Sequence, residues 1–220
     1  MINRARRCEK ELPLTLDERL IRDAATLGVA LTPEGAARLL ALVAELAVWN
    51  QTHNLTAITE PAAMLTHHLL DSLAIQPDLV GSRIADAGTG AGFPGLPLAL
   101  VNPEREFTLI DSNNKKIRFV THALALMGLT NVTALHARSE ALRPQQPFDT
   151  VVARALAPLP RLLPFVAPLC GRHTRVLAMK GRWPEAELQA LPKSWQLVSS
   201  RELKVPALDA ARCLLVLQKR

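Results

Sequence analysis

The residues of this chain best suited to chemistry gather in one short run, Asp86-Ala87-Gly88-Thr89-Gly90-Ala91-Gly92-Phe93-Pro94-Gly95. The apolar stretch Arg83-Ile84-Ala85 leads into a carboxylate, and a series of glycines follows it. Glycines let the backbone turn through φ > 0 and approach a ligand without Cβ interference. A turn of this kind, between a strand and a helix, is expected to aim backbone N–H groups and a helix N-terminus at whatever sits above the strand. Gly90-x-Gly92-x-x-Gly95 also satisfies the dinucleotide fingerprint, a weak match when it stands alone. A tight turn with no ligand is the plainer alternative.

Asp86 discriminates among ligands. A carboxylate repels a pyrophosphate and attracts an ammonium, directly or through water. S-adenosylmethionine carries an ammonium, a ribose diol and an adenine, so the run favours this cofactor over NAD. Asp111 closes the next apolar stretch, where an acidic residue meets a ribose diol, and its two oxygens match two hydroxyls. An ordinary helix cap also explains it. Ser139-Glu140 follows a third strand and would edge the adenine, or cap a helix.

Arg154 ends an apolar strand, an unusual place for a charge. Cofactor, an RNA phosphate, a base and a salt bridge to a nearby acid are all open to it. The loop beyond it, Ala155-Leu156-Ala157-Pro158, lacks both an Asn- or Asp-Pro-Pro-aromatic segment and a cysteine nucleophile. Lys180 and Arg182 follow the fifth strand and are candidates for phosphate contact; Lys115, Lys116 and Arg118 follow the second. Some of these are expected to be plain solvated charges. Upstream, His67 and Asp71 stand at i,i+4 and His68 and Asp71 at i,i+3, so either pair can meet on a helix. Further metal ligands are missing there. With Asn50, His53 and Asn54, these residues are expected to make polar contacts between the upstream segment and the rest of the chain.

The elements that must position these groups follow from pattern. Thr15-Leu16-Asp17-Glu18 reads as a capping box, with Leu16, Leu20, Ala24 and Leu27 at helical spacing up to Gly28. Thr32-Pro33 opens a second helix, and a third is expected over residues 61–75. From residue 83 strands and helices alternate, with strands at 107–111, 132–136, 148–154 and 174–179. In the tail, 196–198 and 203–205 flank serines before 213–217, which predicts an antiparallel hairpin closing a mostly parallel sheet. The fold class is therefore α/β, a doubly wound mostly parallel sheet with a Rossmann-like ligand site at the carboxyl ends of its strands. Residues 1–78 form an N-terminal helical extension and residues 79–220 the cofactor-binding domain.

Composition sets wider bounds. The 220 residues suffice for one full core, and no apolar run is long enough for a membrane helix. The basic N-terminus lacks an apolar signal core, which predicts a cytoplasmic protein. Cys8, Cys170 and Cys213 lack metal-ligand spacing and read as free thiols. A net charge of +6 and a pI near 9.7 make nucleic acid a plausible partner, although solubility charge explains them equally well.

Together these pieces resemble the RsmG (GidB) family of bacterial 16S rRNA guanine-N7 methyltransferases. The resemblance rests on Trp49-Asn50, Asn54-Leu55-Thr56, His68-Leu69-Leu70-Asp71-Ser72, the run from Asp86 to Gly95, Leu109-Ile110-Asp111-Ser112, Phe148-Asp149, Arg154-Ala155, Met179-Lys180-Gly181 and Val205-Pro206-Ala207-Leu208-Asp209. It implies a class I methyltransferase that moves a methyl group from S-adenosylmethionine to N7 of a guanine in the decoding-region loop. It implies cofactor contacts from Gly88, Phe93, Ser139, Glu140 and Arg154, to which the reading above adds Asp86, Gly90 and Asp111. Phe93 stands where relatives often carry Leu, and Ser139 occupies a variable position. The partner would be 16S rRNA or the 30S subunit or its precursor, the protein a monomer without a metal, and no residue an essential acid or base. The rival readings are an NAD-dependent oxidoreductase, a non-catalytic rRNA-binding assembly factor and a small-molecule methyltransferase.

Overall fold

The computed structural model describes residues 14–220. Cys8 and the basic N-terminal residues before Leu14 lie outside the described residues. Helix α1 (Leu16–Thr26) starts as its capping box dictates: the Glu18 carboxylate accepts from the Thr15 backbone N–H at 2.9 Å and from its hydroxyl at 2.8 Å. In α2 (Pro33–His53) the Thr32 hydroxyl accepts from the Gly35 N–H at 3.0 Å, and Asn54 ends the helix in the left-handed region at φ 50°.

The third helix departs from the single α-helix predicted. It begins as α3 (Pro61–Met64), widens into a π-helical stretch (Leu65–Leu70) and resumes as α4 (Asp71–Leu73). The Asp71 N–H donates to the Thr66 carbonyl, five residues back, and so bypasses the carbonyl of His67. That carbonyl is left for a donor from elsewhere.

The sheet comprises β1 (Arg83–Ala87), β2 (Glu106–Asp111), β3 (Val132–His136), β4 (Phe148–Arg154), β5 (Cys170–Lys180), β6 (Trp195–Glu202) and β7 (Cys213–Lys219). Its spatial order is β3-β2-β1-β4-β5-β7-β6, with β7 alone running against its neighbours. Helices α5 (Gly95–Val101), α6 (Asn114–Met127), α7 (Leu159–Val166) and α8 (Glu185–Gln189) connect the strands. The chain winds outward from β1 in one direction and from β4 in the other, so the switch point lies between them. The tail differs from expectation in detail. One strand, β6, spans the serines with a register shift against β7 between Leu197 and Ser199, while Leu203 and Val205 are buried outside any strand. At the sheet edge the serines need only keep the ladder to β7, so their polarity does not interrupt the strand.

Successive strand residues serve opposite faces, as a period of two requires. Ile84, Leu109, Val152 and Leu177 join Leu20, Leu42, Leu69 and Phe119 in one cluster. Ala85, Ile110, Val151 and Val176 join Leu162, Leu163 and Trp195 in the other. The upstream helices thus share a continuous core with one face of the sheet. Each Leu buried there contributes about 1.5–3 kcal/mol. Among the described residues, no helix is long and apolar enough to cross a membrane.

Candidate functional site

At the carboxyl end of β1 the chain enters the glycine run. Gly88, Gly90 and Gly92 have φ of 71°, 62° and 88°, which L side chains adopt only under strain. Asp86 lies beneath this loop, 1% exposed. Its Oδ2 accepts from the Thr89 hydroxyl at 2.6 Å and from the Gly95 N–H at 2.9 Å, fixing the loop at both ends. Its Oδ1 is buried and has no partner. Burial pushes the Asp86 carboxyl up to about 6, against the opposing pull of Thr89, the Gly95 N–H and Arg154.

The N–H groups of the loop do not face outward as the sequence suggested. Those of Gly88 and Thr89 donate to the Ile110 carbonyl at 2.8 and 3.0 Å, and that of Gly90 donates to Asp111 Oδ2 at 2.9 Å. Those of Gly92 and Phe93 return to the Thr89 carbonyl. The turn is stabilised from within, and these five donors are not available to cradle a phosphate.

Above the loop opens a cleft of about 730 Å³. Gly88, Gly90, Phe93, Asp111, Arg154 and Lys180 line it, six of the residues singled out from sequence. Leu55, Thr56 and Ile58 close one side, and His67, His68 and Asp71 join them. Asn50 holds that wall: its side chain donates to the Thr56 carbonyl and accepts from the Thr56 N–H, both at 2.9 Å. His68 stacks on Phe93, ring centroids 4.7 Å apart, and its Nε2 lies 3.1 Å from the Thr56 hydroxyl. Burial, aided by Arg154 and His67, pushes its imidazole down to about 4, so it is neutral at pH 7.

Arg154 reaches back from β4 to this wall. Its Nη1 donates to the freed His67 carbonyl at 2.9 Å and to Asp71 Oδ2 at 3.2 Å, while its guanidinium lies 5.8 Å from the Phe93 ring centre. The salt bridge, one of the alternatives open to Arg154, is formed with Asp71. Asp71 does not bond His67 or His68 as helical spacing allowed; its second oxygen accepts from Arg212 Nε at 3.2 Å. The π-helical stretch shifts the register on which that spacing depended. Arg212 escaped the sequence reading, although it stands directly before the apolar stretch Cys213–Leu217.

Four expected site residues stand apart from the cleft lining: Asp86, buried beneath the loop, and Ser139, Glu140 and Arg182. Ser139 and Glu140 form a short 3-10 turn after β3. The Ser139 hydroxyl and Glu140 Oε2 are both buried without partners. Arg182 is exposed beyond the rim. Lys180 lines the cleft, but its ammonium is already engaged, donating to the Ala157 carbonyl and to Glu187 Oε2, each at 2.8 Å. Glu187 also accepts from the Leu159 N–H at 2.6 Å, so the pair clamps the loop after β4. In that loop Leu156 leans over Gly88, where a Cβ would lie 2.5 Å from Leu156 Cδ1. Among the described residues no three His, Cys, Asp or Glu side chains form a metal-binding group. Cys170 and Cys213 are buried free thiols.

Residues 36–216 match the family model GidB, described as rRNA small subunit methyltransferase G. A ribosomal RNA small subunit methyltransferase G from Shewanella amazonensis is 42% identical over 93% of this chain and 99% of its own. One from Pseudomonas paraeruginosa is 44% identical over 92% and 95%. Among solved structures, a SAM-dependent methyltransferase from Thiobacillus denitrificans, in complex with S-adenosyl-L-homocysteine, superposes with a TM-score of 0.54 at 12% identity. It covers 80% of this chain and 98% of that one. A ribosomal protein L11 methylase from Lactobacillus delbrueckii subsp. bulgaricus gives 0.51 at 19% identity, over 69% and 77%. These two share the class I methyltransferase fold.

Proposed function

Since the chain belongs to the GidB family of small-subunit rRNA methyltransferases, we propose that it methylates N7 of a guanine in the decoding-region loop of 16S rRNA. Its donor is S-adenosylmethionine and its substrate class is ribosomal RNA. The observation that carries the reading is the glycine loop held from below by Asp86 with its N–H groups turned inward. Such a loop presents glycine surface and the Asp111 carboxylate in place of an anion cradle, with the Asp86 charge beneath it, which suits an ammonium-bearing ligand and disfavours NAD.

The residues present fit the donor. Asp86 Oδ1 lacks a partner beneath the loop, and the orphaned oxygens of Ser139 and Glu140 stand at the end of β3. Asp111 keeps lone pairs beyond the two that accept from Gly90 and Asn113. We assign Asp86, Gly88, Gly90 and Phe93 to the methionyl side, Asp111 to the ribose and Ser139-Glu140 to the adenine. Arg154 braces the wall through Phe93 and Asp71. Residues 79–220 are the catalytic unit in this reading, and residues 1–78 supply an extension that walls the cleft.

When bound, the sulfonium supplies an activated methyl group. Guanine N7 has an in-plane lone pair and no proton to lose, so the protein needs no base at that atom. Holding two reactants in line can lower a barrier by about 7–11 kcal/mol. Phe93 and His68 form a flat, neutral wall for that alignment, and the Lys180–Glu187 clamp sets the loop opposite. In this reading the protein acts in the cytoplasm, on 16S rRNA or on the 30S subunit or its precursor, as a monomer.

Mapping N7-methylguanine in 16S rRNA from cells with and without the protein tests the reading. A single modified guanine in the decoding-region loop, lost with the protein, is expected. An unchanged N7 pattern would overturn it.

A further inference from the structure

The cleft wall does not end at Gly181. The chain continues over its rim as Arg182 and Trp183, before Glu185 opens α8. The chain has three tryptophans and no tyrosine. Trp195 is buried, and Trp49 packs edge-on against Phe119 with ring centroids 5.6 Å apart. Trp183 alone remains 48% exposed. It is nonetheless held in place: its indole N–H donates to Glu185 Oε2 at 3.0 Å. The backbone around it is also pinned, with Lys180 bonded to Glu187 and the Arg182 carbonyl accepting from the Cys213 thiol at 3.7 Å.

An oriented, half-open indole is of no evident use to the core or to the cofactor cleft. Arg182 beside it is exposed and has no ion-pair partner among the described residues, and Lys116 lines the cleft, while Glu185 and Glu187 are engaged by the indole N–H and by Lys180. A fixed aromatic face beside unpaired positive charge is what a splayed-out nucleic-acid base requires, with its π-face on the ring and its phosphate on the guanidinium. A peptide partner without acidic side chains would gain from the ring but not from the charge.

We propose that Trp183, with Arg182, is a stacking platform for an unpaired rRNA base next to the guanine that enters the cleft. This rests on the methylation reading and adds to it a site that holds the strand beside the target. Because the platform lies outside the pocket, it acts on RNA affinity and not on the donor.

The test uses the full-length protein, 30S subunits isolated from cells lacking it, and S-adenosylmethionine. Trp183→Ala is expected to raise the KM for subunits about 5- to 150-fold, the range of one base–aromatic stack, with kcat and donor affinity near wild type. Trp183→Phe keeps a ring and is expected to stay within about threefold. Ultraviolet cross-linking is expected to join Trp183 to a nucleotide adjacent to the methylated guanine. A KM for Trp183→Ala within twofold of wild type overturns the proposal, as does a Trp183→Phe defect equal to that of alanine. A cross-link to a ribosomal protein overturns it in favour of a protein contact. Wild-type protein that fails to methylate subunits points instead to the parent reading, and unaltered donor binding by Trp183→Ala verifies that the variant is folded.

Discussion

Arg154 and Asp71 face each other across the cleft wall, Nη1 to Oδ2 at 3.2 Å, and join the end of β4 to the upstream helices. Arg212 approaches the other oxygen of the same carboxylate at 3.2 Å. Asp71 is 4% exposed at its side chain, against 21% for Arg154 and 23% for Arg212. Truncating the carboxylate strands two guanidiniums beside one another. Asp71→Ala is expected to lower unfolding free energy by about 3 kcal/mol, and Arg212→Ala by less, since Arg154 still neutralises Asp71. Urea denaturation of both variants measures this, and equal midpoints for Asp71→Ala and wild type would refute it.

Two glycines of the loop should fail in different ways. Gly88→Ala places a side chain at φ 71°, costing about 1–2 kcal/mol, and its Cβ displaces only the flexible end of Leu156. Donor binding is expected to vanish while the fold survives. Gly95→Ala has no such backbone strain, but its Cβ meets Leu109 at 2.7 Å and Asp86 Oδ2 at 2.8 Å in the core. Overpacking there costs about 1–3 kcal/mol and loosens the loop from below. Thermal melts beside donor calorimetry separate the two; a Gly88→Ala protein that binds donor normally removes the site from this loop.

Asp86 and His68 oppose each other in pH dependence. A carboxyl raised to about 6 stabilises the fold fully below its unfolded value of 3.8, and that contribution is lost as pH rises to about 6. An imidazole lowered to about 4 contributes stability above 6.5, lost as pH falls toward 4. Each effect amounts to about 3 kcal/mol, and they cancel across much of the same window. Asp86→Asn is expected to grow more stable from pH 4 to 6.5 while losing donor affinity, and His68→Gln to grow less stable over that range. Stability profiles parallel to wild type in both variants would contradict the assignment.

Lys180 and Arg182 are two residues apart, and only the second should contribute to the salt dependence of rRNA binding. The ammonium of Lys180 clamps Ala157 and Glu187, so Lys180→Ala is expected to lower kcat while leaving the salt dependence of rRNA binding unchanged. Arg182→Ala is expected to reduce the slope of log affinity against log salt by about one, as the loss of a phosphate contact does. Filter binding across salt concentrations decides, and a reduced slope for Lys180→Ala would return that residue to the RNA surface.

Much of the architecture was legible because period and punctuation are local. Strands β1 to β5, the capping box at Thr15 and the stop at Gly28 follow from alternation, caps and glycine. The gathering of Gly88, Phe93, Asp111 and Arg154 was legible too, since each closes a strand or opens the turn after it. What stayed hidden depends on contacts distant in sequence. Lys180 looks like a phosphate ligand until Glu187 and Ala157 come within reach, and nothing local to Asp86 reveals that Thr89 and Gly95 claim one of its oxygens and leave the other unpartnered. The inward turn of the loop N–H groups depends on the Ile110 carbonyl in a neighbouring strand, which no pattern within the loop reveals. Arg182 and Trp183 are visible as residues, but only their exposure marks them as a surface.

The widened turn at Leu65–Leu70 makes chain length in the upstream helix a functional quantity. Deleting a single residue there would restore ordinary winding, rotate His68 and Asp71 by about 100° relative to the segment before them, and return the His67 carbonyl to its own helix. Arg154 would then lose both of its partners at once without any of the three residues being replaced. The wall is thus sensitive to the number of residues as well as to their kind.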